Sequence, residues 1–245
     1  MLADFSLDDP IIAGFLVLLQ TNPTAGDVAE ALAIDAAHWT SVLALATNEH
    51  VLTYLYWNLQ RLNILSALPD DLRRQLHASY LGNAARNRAL LHCVGQILAA
   101  FAEHRLPVIV LKGTYLVDQV YPSPGARAVG DTDLLVPESQ LRATTAVLDR
   151  LGYTRGHGVT GDFISYEAAW SREAGSGIVH HLDVHWRINN SQILARLLTY
   201  DELVARATVL PPLGPHARAP CAVHALLYAC MHRAGHANAP YVVDG

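Results

Sequence analysis

The chain has 245 residues, of which 51% are hydrophobic and 16% are charged, and its formal net charge is −5. This composition is typical of a folded globular protein and excludes an intrinsically disordered one. Because there is no excess of lysine and arginine to neutralise phosphates, the charge also argues against non-specific binding to nucleic acid.

The sequence gives no sign of a membrane segment. The longest early apolar run, residues 11–19, is too short to span a bilayer, and the residues before it are acidic where a signal peptide is basic. Cys93, Cys221 and Cys230 are odd in number and lack the spacing of metal ligands, so neither a disulfide nor a metal role is expected. These features predict a cytoplasmic protein in a reducing compartment.

Residues 1–104 are predicted to form a helical domain, because apolar residues recur there at intervals of three and four. Asp8 or Asp9 precedes Pro10, an arrangement typical of a helix N-cap followed by proline in the first turn. The longest predicted helix covers residues 69–104 and starts with an acidic turn.

A different pattern begins at Pro107. Two short runs rich in apolar residues, "PVIVLKG" and "DTDLLV", predict buried strands, and a helix is predicted after each of them. Two further strands, "DFISYEAAW" and "GIVHHLDVHWRI", are separated by a short polar segment and predict a β-hairpin. Residues 105–190 are therefore predicted to form a small mixed β-sheet core.

Helical patterns return over residues 191–245, which are predicted to form a C-terminal helical segment. The last residues, "PYVVDG", carry no helix C-cap signal, a pattern typical of a truncated chain. The order of the elements predicts the α+β class, with a small mixed sheet flanked by N-terminal and C-terminal helices.

Two carboxylates stand at the start of the second predicted strand, in the segment "GDTDLLV". Because successive side chains of a strand point to opposite faces, Asp131 and Asp133 are expected on the same side. Two negative charges this close repel unless a cation lies between them, and carboxylate oxygens suit Mg²⁺ or Mn²⁺. Such ions also bind substrate phosphates, so the pair indicates phosphoryl-transfer chemistry.

A third carboxylate, Asp183, lies within the last predicted strand of the core and shares a face with His181 and His185. Placed beside the first pair, it would complete a metal site or accept a proton from an attacking hydroxyl. We prefer Asp183 to Asp162 and Glu167 because it alone lies inside a strand with apolar alternation.

These residues follow one another in a defined order. Gly113-Thr114 comes after the first strand, Asp131-x-Asp133 begins the second, and Asp183 comes later. This arrangement resembles the nucleotidyltransferase superfamily that includes DNA polymerase beta, and above all its bacterial branch of largely uncharacterised nucleotidyltransferases. The resemblance covers roughly residues 100–240 and includes further features of that branch, namely Lys112, Tyr121-Pro122, Arg127 and His185-Trp186.

The resemblance implies an enzyme that depends on two bound Mg²⁺ or Mn²⁺ ions. Asp131 and Asp133 would hold the two ions, and Asp183 would join the catalytic one. Gly113 would let the backbone approach a triphosphate closely, and Thr114 would supply a hydroxyl donor. Thr114 stands where the superfamily more often has serine, a change that keeps the hydroxyl.

The basic residues of this set, Lys112 and Arg127, would neutralise phosphate charge. The implied reaction transfers a nucleoside monophosphate from a nucleoside triphosphate to an acceptor hydroxyl and releases pyrophosphate. The sequence does not identify the acceptor, the base or the oligomeric state, although its acidic balance favours a small molecule, peptide or protein acceptor over RNA. Asp133→Asn is expected to abolish turnover and to leave the fold intact or more stable.

Two other functions fit parts of the sequence. A catalytically silent nucleotide-binding protein could share the fold, although it would have no need to keep three costly acids. A histidine-dependent metal hydrolase is the other, since His232 and His236 have the spacing of paired Zn²⁺ ligands on a helix. No glutamate accompanies them as in the HExxH pattern, so a role in packing is favoured.

Overall fold

The computed structural model describes residues 9–33, 36–158, 165–175 and 177–237. Over these ranges the fold is α+β, as predicted, with helices flanking a five-stranded mixed sheet. The helices are α1 (Pro10–Leu19), α2 (Ala25–Leu32), α3 (Ala36–Asn48), α4 (Leu52–Arg61), α5 (Asp70–Glu103), α6 (Lys112–Gln119), α7 (Leu141–Arg150), α8 (Tyr200–Ala205) and α9 (Ala222–Ala237). The strands are β1 (Ile109–Leu111), β2 (Thr132–Leu135), β3 (Thr154–Arg155), β4 (Glu167–Glu173), β5 (Val179–His185), β6 (Thr208–Val209) and β7 (Arg218–Ala219).

The predicted helices and strands are present. Asp9 caps α1, since its Oδ1 accepts a hydrogen bond from the Ile11 amide at 2.8 Å, and Pro10 occupies the first helical position. The long predicted helix is α5, and the predicted hairpin is the antiparallel pair β4–β5. The sequence does not predict β3 or the pair β6–β7, because two-residue strands are too short to show alternation. Asp162, where the β4 prediction starts, lies outside the described residues.

The chain divides into two compact units. The first comprises the described residues up to Asn87 together with Tyr121–Ala128, which we call the inserted loop. The second comprises Arg88–Val120 and the described residues from Val129 onward. The division of the sequence into three domains at residues 104 and 190 stays a prediction.

The first unit has its own apolar core, built from α1–α4 and the first part of α5. Burial of each large aliphatic side chain contributes about 1.5–3 kcal/mol, so a cluster of them holds short helices together. The fully buried members include Leu18, Val42, Leu55, Leu59 and Leu76.

Two asparagines of α5 fix the inserted loop within the first unit. The Asn83 side-chain amide donates hydrogen bonds to the carbonyls of Gly125 at 2.9 Å and Arg127 at 3.0 Å. The Asn87 amide donates to the carbonyls of Pro124 and Arg127, each at 2.6 Å. These side-chain amides supply hydrogen bonds to loop carbonyls that belong to neither a helix nor a sheet. The bonds thereby set the conformation of the loop.

The second unit is built on the sheet, whose strand order is β1-β2-β5-β4-β3. Strands β2 and β5 are parallel, and the other neighbours are antiparallel. One face packs against α5 and α7 around a core that includes Phe101, Leu148 and Leu182. The opposite face carries a smaller apolar cluster, including Leu135 and Tyr228, beside the polar side chains of the candidate site.

Two further findings concern membranes and disulfides. Within the described ranges, no helix combines the length and the apolar character that crossing a bilayer requires. Cys93, Cys221 and Cys230 are free thiols, as expected.

The tight fit of the inserted loop gives the first testable prediction. A Cβ atom at Gly125 would lie only 2.6 Å from Cζ of Tyr80. We expect Gly125→Ala to lower the free energy of unfolding by about 1–3 kcal/mol in urea denaturation, because the ring or the loop must shift.

Gly82→Ala in α5 is the matched control, since an added Cβ there meets nothing within 4 Å. It should be neutral or stabilising, because alanine favours a helix interior over glycine. If Gly125→Ala is as stable as Gly82→Ala, the close packing of the loop is contradicted.

Candidate active site

The parallel pairing of β2 with β5 brings two of the three candidate carboxylates side by side. Asp133 and Asp183 are register partners, so their side chains leave the same face of the sheet. Asp131 precedes the first residue of β2, and its side chain is exposed. The site is therefore built around the cross-strand pair, with Asp131 at the solvent-exposed start of the strand.

Asp133 is almost completely buried, with 1% exposure, and is held by two cations. The Lys112 ammonium donates a hydrogen bond to Oδ1 at 2.6 Å, and Nε2 of His185 lies 2.8 Å from the same oxygen. Burial alone would raise the pKa of Asp133, but its contacts with His185 and then Lys112 outweigh burial and lower it. Asp133 is therefore ionised inside the fold.

His185 links Asp133 to another carboxylate. Its Nδ1 lies 3.0 Å from Oε2 of Glu167, its register partner on β4, although the N–H direction falls short of hydrogen-bond geometry. Burial alone would lower the pKa of His185, but the contacts with Asp133 and Glu167 raise it. Lys112, Asp133, His185 and Glu167 thus form a chain of alternating charges, which we call the charge chain.

The apolar alternation around Asp183 favours it over Glu167 in the sequence, and in the structure both acids leave the same face of the sheet. Glu167 is the first residue of β4, so it lacks the alternating apolar neighbours on both sides that mark Asp183 in the sequence. The signal that finds it is the register of the hairpin, which sets Glu167 opposite His185. Contact with His185 is also the main reason that the pKa of Glu167 is lowered.

Asp183 differs from the other acids of the site because none of the ion pairs among the described residues includes it. Burial, together with the neighbouring charge of Asp133, raises the pKa of Asp183 to about 6. Asp183 therefore exchanges a proton close to neutral pH, which suits a general base or a ligand for a cation.

Lys112 and Gly113 are the first two residues of α6 and follow β1 directly. Lys112 has a φ of +45°, a left-handed conformation that residues other than glycine rarely adopt. Its ammonium lies 5.9 Å from the ring centroid of Tyr228. Burial opposes the charge, but the interactions with Asp133 and Tyr228 prevail and raise the pKa of Lys112.

A second buried chain of polar groups begins at Thr114. The Thr114 hydroxyl donates to Oγ1 of Thr132 at 3.3 Å, and that oxygen lies 2.9 Å from Nε2 of His180. The Tyr153 hydroxyl lies 2.6 Å from Nδ1 of His180 and completes the chain. Thr114 is 1% exposed, so its hydroxyl ties α6 to β2 in the protein interior.

Arg127, the other candidate phosphate-binding cation, belongs to the first unit. Its guanidinium lies 5.2 Å from the ring centroid of Tyr121, and Nη1 donates to the Tyr121 hydroxyl at 3.3 Å. Its role in nucleotide binding stays a prediction.

The site opens into a cleft of about 380 Å³, which is within the size range of small-molecule pockets. Lys112 and Asp183 line the cleft, as do Tyr228 and His232 of α9. His232 therefore borders the site, although the sequence favoured a packing role for it. The side chain of His236, its partner in the metal hydrolase hypothesis, lies outside the described residues.

The donor groups of the site suit a hard cation. Among the described residues, no three histidine, cysteine, aspartate or glutamate side chains converge closely enough to form a finished metal site. However, Lys112 and His185 pair with Asp133 and Glu167, and Asp183 has no ionic partner in the part of the chain that the structure describes. Its carboxylate oxygens are ligands of the type that Mg²⁺ and Mn²⁺ prefer, and binding of either ion stays a prediction.

Comparison with known proteins adds one positive finding. Residues 35–241 match the model of a protein family described as "Uncharacterised nucleotidyltransferase". No protein of curated function matches the chain. The family match covers both the charge chain and the cleft.

The buried His180 predicts a pH dependence of stability. Burial is the main cause that lowers the pKa of His180 from 6.5 to about 4. Between these values the unfolded chain binds a proton that the folded protein does not, so the stability falls as the pH drops from 6.5 towards 4. The expected total loss is about 3 kcal/mol.

The variant His180→Gln has no titrating group at this position, so it should lack this part of the pH-dependent loss of stability. Urea denaturation of both proteins at pH 7 and pH 4.5 measures how much stability each one loses. Subtracting the two losses removes the contribution of other titrating acids, which both proteins share. Identical losses in the two proteins would contradict a neutral, buried His180.

The contacts of Asp133 reverse the effect on stability that the sequence suggested. Asp133→Asn would leave Lys112 and His185 without their shared counter-charge, and His185 is buried. We expect a loss of about 3 kcal/mol in urea denaturation, towards the lower end for a broken buried ion pair because Lys112 is partly exposed.

Asp131→Asn removes an exposed acid two residues away and is the matched control. It should change the free energy of unfolding by less than about 0.5 kcal/mol. If both variants are equally stable, the charge chain does not support the fold.

Proposed function

The chain belongs to the family of uncharacterised nucleotidyltransferases, and on this premise we propose that it transfers a nucleoside monophosphate from a nucleoside triphosphate to an acceptor hydroxyl. The observation that carries the proposal is the pair Asp133 and Asp183, set side by side on adjacent strands next to a polar cleft. The order Gly113-Thr114, Asp131-x-Asp133 and Asp183 supports a place for the family in the superfamily that includes DNA polymerase beta.

In the proposed reaction the acceptor oxygen forms a bond to the α-phosphorus of the donor. The bond between that phosphorus and the oxygen bridging to the β-phosphorus breaks, and pyrophosphate leaves with the electron pair. The acceptor proton passes to the carboxylate of Asp183. Asp183 suits this role because it lines the cleft and none of the ion pairs among the described residues includes it.

Asp131, Asp133 and Asp183 would hold the Mg²⁺ or Mn²⁺ ions, two in number, which supply positive charge to the triphosphate when bound. The charge chain keeps Asp133 ionised, as a metal ligand must be. Lys112 carries a further cation beside Asp133 and would bind a phosphate oxygen. Gly113, at the first turn of α6, would leave room for the triphosphate.

The acceptor is proposed to be a small molecule or a hydroxyl of a peptide or protein. The net charge of −5 disfavours RNA, whose phosphates would be repelled.

A second candidate function is nucleotide binding without turnover. It is favoured by one observation, since Oδ1 of Asp133 is already occupied by Lys112 and His185. In a silent protein these two cations would replace metal ions permanently, and nucleotide binding would not require Mg²⁺.

Thermal denaturation with each of the four nucleoside triphosphates, with and without Mg²⁺ or Mn²⁺, tests the proposal. A ligand that binds only the folded state raises the melting temperature by mass action. We expect a metal-dependent rise with at least one nucleotide in the wild type and its loss in Asp131→Asn. Asp149→Asn, which removes an exposed acid of α7, is the control and should keep the rise.

Pyrophosphate release in the presence of hydroxyl acceptors tests turnover. Asp183→Asn should slow it by about 100-fold or more, as loss of a general base does. A nucleotide-induced rise that needs no metal and survives in Asp131→Asn, with no pyrophosphate released, would reject the transferase and support the silent alternative.

A further inference from the structure

Strands β4 and β5 border a second cavity on the face opposite the candidate active site. Glu167, Asp183 and His185 leave one face, while the alternate residues Trp170 and Trp186 leave the other. The cavity between these strands and α7 measures about 480 Å³, a volume typical of small-molecule pockets. None of the residues that line the active-site cleft lines this cavity.

Two arginines lie on the cavity wall. Arg142 of α7 and Arg155 of β3 both line it, and each is exposed. The acid among the lining residues, Glu138, has Oε2 only 3.2 Å from Nη2 of Arg187, which offsets its charge. Arg142 has no hydrogen-bond or ion-pair partner among the described residues. A free guanidinium beside a cavity is well suited to bind a carboxylate or a phosphate.

Aromatic and aliphatic residues also line the cavity. Trp170 is buried and Trp186 is half-buried, and both residues line the cavity. Flat rings pack favourably against indole, and they bury a large area for few lost degrees of freedom.

Thr144 adds an unusual polar group to this wall. It lines the cavity and is 2% exposed, yet its hydroxyl has no hydrogen-bond partner within the described residues. An unsatisfied buried hydroxyl lowers stability unless water or a ligand bonds to it, so the Thr144 hydroxyl is available to a polar group of a ligand.

We propose that this cavity binds a small molecule that carries a flat apolar ring and one anionic group, either a carboxylate or a phosphate. The ring packs against Trp170 and Trp186, and the anion pairs with Arg142. This site is independent of nucleotidyl transfer, because its residues lie on the other face of the sheet from Asp133 and Asp183.

Tryptophan fluorescence tests the proposal, since Trp170 and Trp186 are natural reporters of the cavity. Phenyl phosphate and phenylacetate combine a ring with each kind of anion, whereas inorganic phosphate and benzyl alcohol carry only one of the two parts. We expect a saturable change with at least one of the combined probes, in the millimolar range or tighter, and at least tenfold weaker effects with the partial probes.

Arg142→Gln should weaken binding of the active probe about tenfold or more, because a charge-assisted hydrogen bond is lost. Arg150→Gln removes the same charge from the last turn of the same helix, away from the cavity, and should bind like the wild type. Asp131→Asn should also bind like the wild type, which keeps this test separate from the nucleotide site.

Thr144→Val provides a second variant, with the methyl of valine replacing the unpartnered hydroxyl. It should be at least as stable as the wild type and should bind the probe more weakly. The proposal is overturned if neither combined probe binds, or if Arg142→Gln and Arg150→Gln weaken binding equally.

Discussion

The charge chain is the interaction on which the second unit depends. A carboxylate as deeply buried as Asp133 is tolerated only when cations and hydrogen bonds compensate for the lost water. Lys112 and His185 supply that compensation from α6 and β5, and Glu167 on β4 balances the second positive charge. One ionic arrangement therefore fixes the relative positions of a helix and three strands, and three of its members, Lys112, Glu167 and His185, line the cleft.

This arrangement also separates the acids of the site by role. Asp133 is held ionised by its contacts with His185 and Lys112, whereas its cross-strand neighbour Asp183 has no ion-pair partner among the described residues and has a pKa of about 6. The different environments of these adjacent carboxylates suit them to different roles, Asp133 as a ligand that stays ionised and Asp183 as a proton acceptor. Membership of a nucleotidyltransferase family gives this pair a chemical context, and the strained turn at Lys112 places a cation beside it.

Much of the fold could be predicted from the sequence because its elements have clear periodicity. The apolar spacing of α5 and the alternation around Asp183 depend only on local residues. Glu167 and Tyr228 could not be assigned to the site in this way. The register of the β4–β5 hairpin places Glu167 beside His185, and the packing of α9 places Tyr228 in the cleft. The same limit applies to Thr114, whose hydroxyl is bonded inside the protein to a residue of the next strand.

The inserted loop has a consequence for any dissection of the chain. Its residues lie between α6 and β2 in the sequence, but its carbonyls accept hydrogen bonds from Asn83 and Asn87 in the first unit. A polypeptide cut after Asn87 would therefore give two incomplete pieces, one with amides lacking acceptors and the other with carbonyls lacking donors. Each unit is built from separate segments of the chain, so a single cut cannot release either unit whole.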